Sequence, residues 1–199
     1  MPRAAGDRAM PGFCPVPSRC PSIEAAGEPA GARVRQVGLP SASRLRSTYA
    51  RADFADAFSV DLPDAASHDV EVLARHVFAQ PAAWVAMLLR VRDGLVRPFG
   101  IRSTAGLRAG GGDRINFFRV YARHDGEIII GEDDAHLDFR VSLLVQPASQ
   151  GQPRRLTVTT LVFYNRLLGR AYIALILPFH RRVVRDSLDR ARQRGWPAR

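Results

Sequence analysis

The sequence contains no lysine. All 29 basic residues are arginine, set against 19 acids for a formal net charge of +10. A basic surface releases counterions from phosphate, so this balance would ordinarily suggest nucleic acid. An arginine-only set reflects coding bias at least as much as selection for phosphate, and the charge is uneven: residues 1–51 carry +5, 52–165 carry −2 and 166–199 carry +7. No recognition motif or aromatic-basic interleaving accompanies it, and specific nucleic-acid binding is not expected.

Cysteine is nearly absent. Cys14 and Cys20 both lie in an irregular N-terminal stretch, where a disulfide would staple nothing and a zinc site would lack further ligands. A reducing, cytoplasmic setting is the plain expectation. No apolar run long enough for a bilayer occurs: residues 171–179 are nine uncharged positions between Arg170 and His180, against the ~20 a membrane helix needs. The N-terminus shows no signal-peptide pattern. No Gly-x-Ser-x-Gly elbow exists, and the glycine loop at 106–113 lacks the Lys-Ser/Thr of a phosphate loop. Covalent catalysis has no candidate nucleophile, and no cofactor is expected.

What is present divides at about residue 37. Residues 1–36, dense in Pro, Gly, Ala, Ser and Arg without apolar period, read as a disordered extension in which Met10 is an alternative start. Residues 37–199 read as a single domain. After a lead-in at 37–45, Phe54, Phe58 and Val60 suggest a first strand. Asp69 and Glu71 open a helix carrying Val70, Leu73 and Val77 on one stripe, and Pro81 precedes a second with Trp84, Met87, Leu88, Val91 and Leu95. Residues 101–107 are a further strand candidate. An antiparallel meander is expected over 115–123, 127–131, 136–145 and 156–164, with His124-Asp125-Gly126 as a hairpin turn and an acidic turn at 131–135. From Asn165 the period changes to 3.6. Leu168, Tyr172, Leu175, Phe179 and Val183 form one stripe of a long helix, and Pro178 within it is expected to kink it.

Strand, two short helices, meander and long closing helix predict an α+β fold of helix-grip type, in which a curved antiparallel sheet wraps a kinked C-terminal helix. A generic α+β sandwich is the alternative.

The most specific chemical feature is the row His136, Asp138 and Arg140 on one face of an alternating strand, behind Glu132, Asp133 and Asp134. It is either a polar site, with the carboxylate orienting the imidazole and the arginine holding an anion, or a solvated outer face with cross-strand ion pairs, for instance to Arg119. A metal site is not expected, because no second His or Cys stands at ligand spacing. His180, just after the helix proline, is either a functional imidazole presented by the kink or a group bonding a freed backbone carbonyl.

Residues 132–140 (Glu-Asp-Asp-Ala-His-Leu-Asp-Phe-Arg), 160–165, Gly169-Arg-Ala-Tyr172 and Pro178-Phe-His-Arg181, with 52–58, 90–94 and 99–100, resemble the bacterial family catalogued as domain of unknown function 2867 over roughly residues 37–190. The resemblance implies kinship with ligand-binding, polyketide-cyclase-like helix-grip proteins, but no assigned activity. Some such domains are fused to epimerase-like domains, so a separate oxidoreductase partner is a further expectation. It adds weight to Asp134, His136, Asp138, Arg140, Asn165, Arg170, Tyr172 and His180 as ligand-binding candidates.

Three functions are expected in turn. The first is binding of a small apolar or amphipathic molecule between sheet and terminal helix. The second is a cofactor-free cyclase, dehydratase or isomerase with His136 or His180 as base and Arg140 or Arg170 steadying negative charge. The third is an interaction module docking an acidic partner on the Arg-rich terminal helix.

Overall fold

The computed structural model describes residues 33–96, 112–134, 137–149 and 151–198, and Ala32–Arg199 forms one compact unit. The expected extension at 1–36 lies outside the described residues up to residue 32, as do the strand candidate at 101–107, the glycine loop as far as residue 111, and His136.

The described residues form one seven-stranded sheet in the order β1-β2-β7-β6-β5-β4-β3, with every neighbouring pair antiparallel. The strands are β1 (Arg35–Val37), β2 (Phe54–Asp61), β3 (Arg114–Ile115), β4 (Phe118–His124), β5 (Glu127–Asp133), β6 (Leu137–Gln146) and β7 (Arg155–Tyr164). β3 to β7 run as a meander, and β2 then joins the outer edge of β7. Helices α1 (Val70–Phe78) and α2 (Ala83–Val96) follow β2, and α3 (Leu167–Gln193) closes the chain.

The alternation in each strand decides its faces. On one face Phe58, Val60, Ile128, Ile130, Leu143 and Val158 form a core with Leu73 and Val77 of α1 and with Leu188 and Ala191 of α3. Asp69 starts α1 by accepting the Glu71 N–H at 2.8 Å, one of the orphan donors of a helix start. The far end of α3 is tied to α1 where the His76 ring meets Ala191 O at 3.0 Å and Arg194 donates to His76 O at 2.6 Å.

The opposite face carries a smaller cluster of Leu45, Ile129 and Leu161 under a 3₁₀ helix, Arg44–Arg51. Buried Glu127 fastens that helix: Oε1 accepts from Ser43 Oγ at 2.6 Å and Ser142 Oγ at 2.5 Å, and Oε2 accepts the Arg44 N–H at 2.8 Å.

Four local expectations change. The lead-in at 37–45 gives way to β1 and the 3₁₀ helix. The strand expected over 115–123 is a hairpin, because Asn116 turns the chain at φ 59° and brings Ile115 opposite Phe118; asparagine tolerates the left-handed region that most residues avoid. Gly131, read as the start of the acidic turn, lies within β5, where a Cβ would come 2.1 Å from Phe139 O. Only glycine lets β5 and β6 approach so closely. On α3 the face over the sheet is broader than the expected stripe: Phe179, although 47% exposed, and Val183 line the space over the sheet together with Ile173, Ile176, His180 and Ser187. α3 stays helical through Pro178.

Candidate functional site

A cavity of about 340 Å³ lies between the sheet and α3, with α1 and α2 beside it, within the size range of small-molecule sites. Its sheet wall is mostly apolar: Leu137, Phe139 and Val141 of β6, and Val158 and Val162 of β7. Phe118 packs edge-on against Phe78 and Phe139 at 5.2 and 5.8 Å between ring centroids. Against this wall the polar lining groups are few: His180, Ser187, Thr160, Asn116, Glu132 and Asp134.

The register of the sheet places them. Thr160 of β7 lies between Asp56 of β2 and Val141 of β6, so Asp56 and Thr160 are direct cross-strand neighbours with Cβ atoms about 5 Å apart. Asp56 shares the helix-facing side of β2 with Phe54, Phe58 and Val60, and it is 4% exposed. His180 comes down from α3 and its Nε2 meets Asp56 Oδ1 at 3.2 Å, with Phe54 edge-on to the imidazole at 5.7 Å. Asp56 Oδ2 is buried without a hydrogen-bond partner among the described residues. His180 thus bonds a carboxylate, whereas the freed backbone carbonyl was the ordinary expectation.

Glu132 enters the cavity from β5, in the row Phe54, Val162, Phe139, Glu132. Arg114 bridges it at 3.0 Å and donates to Phe117 O at 2.7 Å, which offsets the desolvation of both charges. Asn116 Nδ2 donates to Phe78 O at 2.9 Å, fixing the β3–β4 turn against α1.

The candidate residues read from sequence fall into separate places. Asp134 is at the cavity wall. Asp138 points to the other sheet face; its Oδ1 accepts from the Asp134 N–H at 3.2 Å and from Asn165 Nδ2 at 3.0 Å, while the same Nδ2 donates to Asp134 O at 2.9 Å. Asn165 thereby ties the β5–β6 turn to the start of α3. Arg140 is also on the far face, its guanidinium 3.7 Å above the Tyr121 ring and 2.7 Å from Asp133. Burial, and then the hydrogen bond given to Asp133, push the Tyr121 phenol up to about 12. Arg170 is exposed on the first turn of α3. Tyr172 lies on α3, its side chain outside the described residues, as is the whole of His136. The structure therefore brings Asp134 and His180 to one cavity and sets Arg140 and Asp138 on the other side of the sheet.

Asp56, Thr160 and Glu132 were not among the candidates. Asp56 had a legible signal: an acid in the apolar phase of an alternating strand, between Phe54 and Phe58, must be buried or break the pattern. Among the described residues no cluster of His, Cys, Asp and Glu is arranged to hold a metal ion, and no helix is long and apolar enough to cross a membrane.

No curated protein and no solved structure matches this chain. A family profile matches residues 48–187, a span that takes in β2 and most of α3 and so includes Asp56, Thr160 and His180. Well over half of the chain is covered, and the protein belongs to the family described as protein of unknown function (DUF2867).

Proposed function

We propose that this protein binds a small apolar or amphipathic molecule between its sheet and α3, in the manner of a helix-grip fold, and does so in the cytoplasm. The observation that carries this reading is the cavity itself: about 340 Å³ walled by Val, Leu, Ile and Phe, with a few polar groups at fixed points. An apolar occupant would displace water from this wall and gain dispersion contacts with it. The apolar wall supplies affinity. His180, Thr160 and Glu132 supply orientation.

The test is native mass spectrometry of the full chain purified gently from a bacterial host, compared with the same sample after denaturation. A small-molecule mass released on unfolding is expected. Val183→Trp, which fills the cavity from the half-buried flank of α3, should release much less while its melting temperature stays close to that of the parent. A clean apo mass, together with uptake of an apolar fluorescent probe that Val183→Trp leaves unchanged, would overturn the reading.

A further inference from the structure

We infer that Asp56, His180 and Thr160 form a proton-transfer site, and that the molecules it acts on are apolar carbonyl compounds with an acidic C–H next to the carbonyl. This deepens the binding reading and rests on it. Three observations converge. A carboxylate is buried in the apolar phase of β2 with one oxygen on His180 and the other unpartnered among the described residues. The hydrogen bond to Asp56 is the one His180 makes among those residues, and its ring lines the cavity. The Thr160 hydroxyl sits one strand away on the same wall.

A structural pin between α3 and β2 would not need a charge. An apolar pair would hold the same two elements without desolvating a carboxylate. An Asp–His pair facing a largely apolar cavity has the parts of a general base: the carboxylate fixes the tautomer and steadies the imidazolium that forms.

With the Nε2 proton shared with Asp56, the Nδ1 lone pair is the basic site. It takes the proton from the carbon beside the carbonyl, and the C–H electron pair moves into the carbonyl to give an enolate. The enolate oxygen accepts a hydrogen bond from Thr160 Oγ1. The imidazolium then returns a proton to the same carbon or to a conjugated one, so the step is an exchange or an isomerisation with no change in oxidation level. His180 is the catalytic residue, Thr160 the oxyanion donor and Asp56 a positioning residue.

The probe is 2-tetralone, an apolar bicyclic ketone with acidic C1 protons, incubated in deuterated buffer with the full-length protein. Binding is followed by ligand-observed NMR, and loss of the C1 proton signal is followed in the same tube. Exchange roughly a hundredfold above the buffer rate is expected for the parent protein. His180→Gln should bring it to the buffer rate with binding retained; His180→Asn serves if the Gln variant does not fold. Asp56→Asn and Thr160→Val should each slow exchange about tenfold while the dissociation constant holds. Asp56→Asn should also change the imidazole nitrogen shifts of His180, which reports that the carboxylate sets its tautomer; the slowed exchange at an unchanged dissociation constant is the readout that a merely structural contact would not move.

Binding without exchange above the buffer rate would overturn the inference and leave the binding reading standing. So would exchange that persists in His180→Gln. Failure of tetralone to bind would overturn the inference and count against the binding reading for this ligand class.

Discussion

His180 and Asp56 lie 124 positions apart in sequence and meet at 3.2 Å across the gap between α3 and β2. Asp56 is almost fully buried, and one of its oxygens has no partner among the described residues. Such a pair is a poor device for stability, because removing a carboxylate from water costs more than one imidazole contact returns.

The double variant Asp56→Val, His180→Phe should therefore be at least as stable as the parent, by about 1–3 kcal/mol. Valine continues the apolar phase set by Phe54, Phe58 and Val60, and phenylalanine keeps the edge contact to Phe54. Urea unfolding midpoints of the parent, both single variants and the double variant decide it. A double variant several kcal/mol less stable than the parent would show that the pair is kept for folding rather than for chemistry.

The far side of the sheet carries the opposite case. Glu127 is 2% exposed and accepts three hydrogen bonds, from Ser43, Ser142 and the Arg44 N–H. Glu127→Ala takes the acceptor from two buried hydroxyls, Ser43 and Ser142, and from the part-buried Arg44 N–H, and should cost about 3 kcal/mol or more. It should also release the 3₁₀ helix, seen as faster amide exchange at Arg44 and Leu45. Glu127→Gln keeps one acceptor oxygen but sets an NH₂ against a donor, so an intermediate loss is expected.

Much of this architecture was legible because it depends on local pattern. The alternation in β2, β6 and β7, the Asp69 cap on α1, and the change of period at Asn165 each declare an element within a dozen residues. What was hidden depends on distant partners. Gly131 reads as a turn until Phe139 O is seen against its Cα. Asn116 reads as a strand residue until its positive φ makes the β3–β4 turn. An α3 stripe of apolar residues alone takes in Phe179 and Val183 but not His180, whose sheet-facing position shows only in its contact with Asp56. The Asp138 and Arg140 row was visible as a row, and the apolar phase of β6 implied that it faces away from the core. For Asp56 the strand pattern signals burial, but its partner lies 124 positions away on α3.

Titration gives an independent check on how α1 is held to the sheet. Glu71 accepts hydrogen bonds from Arg123 at 2.6 Å and from Arg75 at 2.6 Å, and those contacts, Arg123 first, lower its carboxyl from 4.5 to about 2. The folded value lies below the unfolded one. The stability it contributes is thus fully present above pH 4.5 and is lost as pH falls from there toward 2. Because the cluster is partly exposed, the effect should be on the order of 1 kcal/mol and should shrink with salt. Melting temperatures of the parent and Glu71→Gln should differ near neutral pH and converge as pH falls below 4.5; a constant difference down to pH 2 would show that the ion pairs do not hold α1.

Asn165 is where the cavity and the turn beside it are coupled. Its amide bonds Asp134 O and Asp138 Oδ1, and Asp134 is part of the cavity wall. Asn165→Ala removes two hydrogen bonds at an exposed position, so the loss in stability should be only about 1–2 kcal/mol. Asp134 would keep its N–H bonds to Leu137 O and Asp138 Oδ1 but lose the tie to the start of α3. Amide exchange at Asp134 should rise, and the affinity for an apolar probe should fall severalfold without a matching change in melting temperature. Asp138→Ala, which removes the shared acceptor, should reproduce the effect, and combining the two should add little because both break one network. Full additivity would mean that Asn165 and Asp138 act separately, and that the turn does not set the shape of the cavity wall.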